Sequence, residues 1–256
     1  MDKEKNKSVQ LSERLLMIAS MVTPGMRVAD IGTDHGFVPI YLILNDISPE
    51  VYAMDVRKGP LDRAKEHVAE YGLADKIHTR LSDGLEKLAP GEADTVTCAG
   101  MGGPLMQKIL EDGNPREKGI KEMILQPQSE LMEFRQYLRD NKYNLLDEKT
   151  LCEDGKYYFL MKVDCTNTEN MPIYINMTDM IKEKCDCSSS QAYRICDRFG
   201  PFLLRDKSET LKAYILHGIS VAGSILDNLP KDMTGGRRQE VEEELEDLKM
   251  ALSLWN

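Results

Sequence analysis

The stretch ADIGTDHG, Ala29 to Gly36, sets two glycines, Gly32 and Gly36, among two carboxylates, Asp30 and Asp34. A glycine turn after a short apolar run commonly receives a nucleotide-like cofactor. The dinucleotide fingerprint asks for G-x-G-x-x-G, with bare helix N–H groups for the pyrophosphate. Here a glycine is missing, and negative charge stands where a phosphate would be repelled. A cationic ligand suits such a turn better than an anionic one.

Further residues have the types to complete a site. Asp55 lies about two dozen residues beyond the turn, the spacing of a carboxylate that accepts from ribose hydroxyls; its plain alternative is a helix N-cap. Asp83 could accept from an exocyclic amine while Gly84 lets backbone approach the ring, or the pair could simply turn the chain. Arg14 offers a guanidinium fork for a carboxylate, or is a surface cation. In AGMGG, Ala99 to Gly103, the glycines permit close backbone approach and Met101 supplies a soft apolar wall. The Asn/Asp-Pro-Pro-aromatic motif of many amino-methylating enzymes is absent from this place. S-adenosyl-L-methionine carries an ammonium, a sulfonium and a carboxylate but no phosphate, and is the expected cofactor. Its expected ligands are Arg14, Asp30, Gly32, Asp34, Gly36, Asp55, Asp83, Gly84, Gly100, Met101 and Gly102.

The elements that must position these residues follow from periodicity and punctuation. A helix is expected over Ser8–Thr23 and stops at Pro24-Gly25. Strands are expected over Met26–Ile31, Val51–Met54, Lys76–Leu81, Ala93–Ala99 and Lys121–Leu125. Helices are expected over Pro39–Leu44, Leu61–Tyr71, Leu105–Leu110 and Leu131–Asn141. This alternation implies a parallel, doubly wound α/β sheet. Strands Tyr143–Leu151 and Tyr157–Val163, joined at Glu153–Lys156, add an antiparallel hairpin at one edge. Five parallel strands closed by a hairpin form a Rossmann-like class I S-adenosylmethionine-dependent methyltransferase architecture, by analogy of fold. Beyond the polar linker Thr166–Asn170, helices are expected over Thr178–Asp197, Asp206–Leu229 and Arg237–Leu254, broken at Phe199–Pro201 and Pro230–Gly236. The stripe Val241, Leu245, Leu248, Leu252 and Trp255 fits an antiparallel helical hairpin or short coiled coil. The expected division is a methyltransferase domain over 1–164 and a C-terminal all-helical domain over 165–256.

Composition narrows the setting. The chain has 256 residues, 41% of them hydrophobic, enough for a core with a satellite. No apolar run is long enough to span a bilayer and the N-terminal ten residues lack an apolar segment, so a cytoplasmic protein without membrane association is expected. The six cysteines follow no disulfide framework and read as free thiols. Cys185-Asp-Cys187 lacks the spaced Cys/His partners of a zinc site, so no metal is expected. The formal net charge of −10 argues against a diffuse field that holds nucleic acid, while leaving room for a local basic patch.

Taken in order, these motifs resemble the TrmK family of bacterial tRNA (adenine-N1)-methyltransferases, which modify adenine 22 of the D-loop. The resemblance is carried by Leu11-Ser12 with Arg14-Leu15, ADIGTDHG, Lys58-Gly59-Pro60, Asp83-Gly84-Leu85, AGMGG, Leu125-Gln126-Pro127, Glu153-Asp154-Gly155-Lys156-Tyr157 and Arg198-Phe199-Gly200-Pro201. It departs where the family often has a glutamate near the end of the second strand and this chain has Asp55. The resemblance implies an enzyme acting on tRNA; the sequence does not set its oligomeric state, and a monomer is expected. Methylating adenine N1 is an in-line displacement in which the N1 lone pair is already free, so alignment supplies most of the catalysis. The product ring is cationic, and Asp34 and His35 are the candidates to stabilise it or to take a proton from N6. The helical region is the least similar part. Its basic residues Lys182, Lys184, Arg194, Arg198, Arg205, Lys207 and Lys212, with Arg237-Arg238, are candidates for phosphate contact; a solvated mixed-charge face is the alternative. Two other readings stay open: a methyltransferase of another substrate, and a cofactor-binding RNA-binding protein without catalysis.

Overall fold

The computed structural model describes residues 8–168, 171–230 and 236–255. The end of the expected linker and most of the expected break at Pro230–Gly236 lie outside the described residues.

A seven-stranded sheet organises the chain. Its strands are β1 Val28–Ile31, β2 Val51–Asp55, β3 Ile77–Leu81, β4 Thr95–Met101, β5 Glu122–Pro127, β6 Asn144–Glu153 and β7 Lys156–Asp164, in spatial order β3-β2-β1-β4-β5-β7-β6. The first five are parallel; β7 runs antiparallel to β5, and β6 to β7. Sequence order reverses between β1 and β4, which makes a crevice at their carboxyl ends. Strand β5 is buried along its whole length, as expected of a strand covered on both faces.

The helices differ from expectation mainly at their starts. Helix α1, Glu13–Met21, begins at Ser12, whose hydroxyl accepts from the Leu15 N–H. Helix α2, Phe37–Leu44, places Pro39 in its first turn, where a missing N–H costs nothing. Helices α3 Lys58–Glu70, α4 Gly103–Gly113 and α5 Leu131–Asp140 complete the α/β layers. The expected single helix over Thr178–Asp197 is two: α6 Pro172–Cys185 and α7 Ser189–Phe199. Asp186 adopts a left-handed conformation at φ 49°, and Ser188 with Gln191 forms a capping box that starts α7 afresh. The expected helix over Asp206–Leu229 is the single helix α9 Glu209–Asn228, started by Ser208 as N-cap, and a short helix that was not expected, α8 Pro201–Arg205, precedes it.

Helix α10, Arg237–Ser253, pairs with α9. Leu248 packs at Gly218, and the Arg238 guanidinium reaches the carbonyls of Leu226 and Leu229. Late α9 thus meets early α10, so the pair is an antiparallel helical hairpin. Of the expected stripe, Val241 and Leu248 are buried, and Leu245, Leu252 and Trp255 pack partly buried against the core.

One buried cluster runs from the sheet, through Val96, Leu125 and Phe159, into Ile195, Leu211 and Val241 of the helical region. The same seam holds a fully buried ion pair. Arg135 Nε donates to Glu148 Oε1 at 2.7 Å, and its Nη1 donates to the carbonyls of Asp197 and Arg198. Glu148 also accepts from the Phe202 N–H at 3.1 Å. Gly200, at φ +90°, lies so close that a Cβ there would stand 2.7 Å from the Glu148 carboxylate. The glycine of Phe199-Gly200-Pro201 is therefore needed for backbone conformation and for clearance.

Candidate active site

The carboxyl ends of β1, β2 and β4, with the turn after β3, open into a cleft of about 570 Å³. Arg14, Asp30, Gly32, Asp34, His35, Asp55, Asp83, Gly84, Gly100 and Met101 all line it. Gly36 and Gly102, expected as ligands, stand behind its wall. Gly36 is the N-cap of α2 and packs on Ala64, and Gly102 is the N-cap of α4 beside the Ser129 hydroxyl. Their role is to start helices at the crevice.

Each carboxylate is held differently. Asp30 accepts from the Thr97 hydroxyl at 2.6 Å, across the β1–β4 register. Burial pushes its carboxyl above the ordinary value, opposed by that hydrogen bond and reinforced by the charge of Asp55. A poorly solvated carboxylate close to a second one is an environment that a cation relieves. Asp55 is buried and closes an Asx turn, its Oδ1 accepting from the Arg57 N–H at 2.6 Å. The N-cap alternative is thus part of its role, since Arg57 is the N-cap of α3. Asp34 is exposed at the mouth and pairs with Arg63 at 3.1 Å.

Close packing shapes the floor. Gly32, at φ +77°, leaves no room for a Cβ because the Met101 Cε occupies that space. The register shift between Ala99 and Met101 places a bulge where β4 meets the cleft. Gly84 approaches Ile109, whose Cγ2 would be 2.9 Å from a Cβ at that position.

His35 adopts φ 61°, a conformation uncommon for a residue with a side chain. Its ring stacks on Phe37, which stacks on His67, with centroids 5.5 and 5.0 Å apart. The His35 carbonyl lies 2.9 Å from His67 Nδ1, and its Nε2 is 3.5 Å from Asp34. The ring is therefore fixed at the mouth.

Sequence reasoning assigned no role to Gln126 and Gln128. Gln126 is fully buried, and its Oε1 accepts from Arg14 Nη1 at 3.0 Å, while the Arg14 guanidinium lies over Tyr158. Arg14 is thus anchored at the bulge, not loose on the surface. Gln128 lines the cleft, its backbone N–H donating to the Met101 carbonyl. Polar residues that close a parallel strand otherwise made of apolar ones were the available signal.

The basic candidates are less free than expected. Arg194 and Arg198 both engage Asp247, which is fully buried, at 2.6 and 3.1 Å. They tie α7 to α10, so their first role is structural. Lys182 pairs with Asp179 and Arg205 with Asp206. Lys207 is exposed and has no ion pair among the described residues.

Comparisons with known proteins accord with this geometry. A profile of the methyltransferase domain family matches residues 11–161. The tRNA (adenine(22)-N(1))-methyltransferase of Bacillus subtilis strain 168 is 41% identical over 150 residues, which span 59% of this chain and 63% of the relative's length. The crystal structure of the B. subtilis M1A22 tRNA methyltransferase TrmK superposes with a TM-score of 0.78 at 30% identity, covering 96% of this chain and 100% of that one. The chain belongs to the TrmK family. A second TrmK, from M. capricolum and bound to S-adenosyl-homocysteine, matches with a TM-score of 0.78 at 25% identity over 96% of this chain. The TrmK fold is that of a class I S-adenosylmethionine-dependent methyltransferase, as the strand order and terminal hairpin predict. Among the described residues, no helix is long and apolar enough to cross a membrane.

Proposed function

We propose that this chain transfers the methyl group of S-adenosyl-L-methionine to N1 of adenine 22 in the D-loop of tRNA. The observation that carries the reading is the convergence of Asp30, Asp55, Asp83, Arg14 and the AGMGG bulge on one cleft in a TrmK fold. The cofactor supplies an electrophilic methyl group on a sulfonium. Asp30, raised by burial, is suited to a cationic group. Asp55 is placed for ribose hydroxyls and Asp83 for an exocyclic amine. Arg14, fixed by Gln126 and Tyr158, is placed to meet a carboxylate.

These residues align the reaction without needing to deprotonate the nucleophile, because adenine N1 is unprotonated at neutral pH. N1 lies on the pairing edge, so the base must be unpaired or flipped to enter. Asp34 and His35, at the mouth, are placed to stabilise the cationic product ring or to accept a proton from N6. Phosphate contact falls first to Lys207 and to Lys182 and Arg205, each of which has one surface salt bridge that can exchange. Arg194 and Arg198 contribute through the face that they hold in shape. The test is incubation with labelled cofactor and unmodified tRNA, followed by nucleoside analysis. Label in 1-methyladenosine supports the reading. Label in another nucleoside overturns the N1 assignment, and none at all, with cofactor bound, favours a binding protein without catalysis.

A further inference from the structure

A second cavity, of about 370 Å³, lies beside the cleft, between the start of β7 and α9. Tyr157, Tyr158, Phe159 and Tyr214 line it, with Gln128 and Lys156 among the remaining wall residues. It touches the cofactor cleft at two points. Gln128 lines both, and Tyr158 carries the Arg14 guanidinium that lines the cleft. The two spaces are therefore neighbours across the AGMGG bulge.

The chemistry of the two spaces is opposite. The cleft is rich in carboxylates, which repel a phosphate chain passing over them. The second cavity has no carboxylate in its lining and one lysine at its rim. Lys156 is exposed and has no ion pair among the described residues. Tyr214 meets Tyr157 and Phe159 edge to face, with centroids 5.3 and 5.1 Å apart. In each such pair only one ring commits a face, so aromatic faces remain for a planar ligand, while the contacts hold the rings rigid. Aromatic faces beside a cation are how proteins hold single-stranded nucleotides.

We propose that this cavity is a second base-binding subsite, which takes a nucleotide adjacent to the target adenine: its base stacks on the Tyr157–Tyr214 wall and its phosphate meets Lys156. The inference rests on the proposed function, since it needs an RNA substrate whose target base leaves its stack. Holding the neighbour outside the helix would keep the target from restacking. It would also lead the backbone away from Asp30, Asp34, Asp55 and Asp83.

The test is equilibrium binding of unmodified tRNA, which reads the subsite whether or not methyl transfer occurs. Tyr157→Leu and Lys156→Ala should each weaken tRNA binding, Tyr157→Leu by roughly ten-fold, as expected for loss of one base–aromatic stack. Tyr157→Phe should bind as the parent does, and cofactor affinity should stay unchanged in all three. Transfer RNA made abasic at the nucleotides flanking the target should bind the parent protein more weakly and lose its sensitivity to Tyr157→Leu. Equal loss on intact and abasic tRNA, or unchanged tRNA affinity in both Tyr157→Leu and Lys156→Ala, would overturn the subsite. If Tyr157→Leu does not fold, Lys156→Ala and the abasic tRNA decide alone. Absence of 1-methyladenosine with the tRNA-binding pattern intact would instead count against the proposed function.

Discussion

Asp30 is a cleft carboxylate whose titration the fold shifts upward. Its side chain is half-buried, it accepts from Thr97, and its carboxyl is raised because loss of solvent outweighs the hydrogen bond. A raised carboxyl is more costly to ionise in the folded chain than in the unfolded one. Asp30 alone therefore opposes stability above its folded pKa, and this cost is relieved as pH falls through that value. A bound cation favours the ionised form. Cofactor affinity should then weaken on acidification, beginning above the usual aspartate range. Asp30→Asn should bind the cofactor more weakly at neutral pH and lose this acid dependence, as calorimetric titration across pH would show. An unchanged acid limb in Asp30→Asn would assign the dependence to another group. Gly32 gives a steric counterpart. Gly32→Ala adds a methyl where Met101 already sits, in a left-handed conformation that costs about 1 kcal/mol or more. It should lower cofactor affinity, and Met101→Ala should restore part of it. The chemistry of both positions was legible in the sequence, because residue types alone distinguish a cationic ligand from a pyrophosphate. The support that fixes Arg14 was not, since Gln126 is 112 residues away in the chain and only the register of β5 brings it close.

At the scale of elements, local rules located the strands and their order of use. The misread elements are those where one capping residue overrides a helical pattern. Ser188 starts a helix inside what periodicity reads as a continuous one, and Ser208 sets the start of α9 beyond the expected Asp206. The capping-box spacing Ser188–Gln191 was present, but it lies within a run of polar residues that also reads as a helix surface. Ser188→Ala should lower stability by about 1 kcal/mol, measured by urea denaturation. The basic run of α7 shows a different limit. Charge type was legible, but its partner was not, because Asp247 lies on α10 and is buried. Asp247→Asn should loosen the α7–α10 contact and destabilise the fold. Arg198→Glu would place two carboxylates together, so weaker tRNA binding by that variant would report lost structure rather than a lost phosphate contact. Lys207→Glu is the cleaner probe: tRNA binding should weaken while the unfolding midpoint stays in place.

For the whole molecule, the sheet and the helical region share one core and one buried ion pair. Burial pushes the Glu148 carboxyl up, and the Arg135 guanidinium beside it pulls it down. Replacing one partner leaves the other charged and dry. Arg135→Met should therefore cost on the order of 3–5 kcal/mol. Because the buried cluster is continuous, loss should appear as a single cooperative unfolding transition; separate melting of the helical region would contradict a shared core. Delivery of a methyl group to N1 of adenine 22 is the reaction proposed for the cleft. The most direct measurement is methyl incorporation into two transcripts of one tRNA, with adenine or 1-deazaadenine at position 22. Incorporation into the first and none into the second is the predicted result. Equal incorporation into both would contradict it.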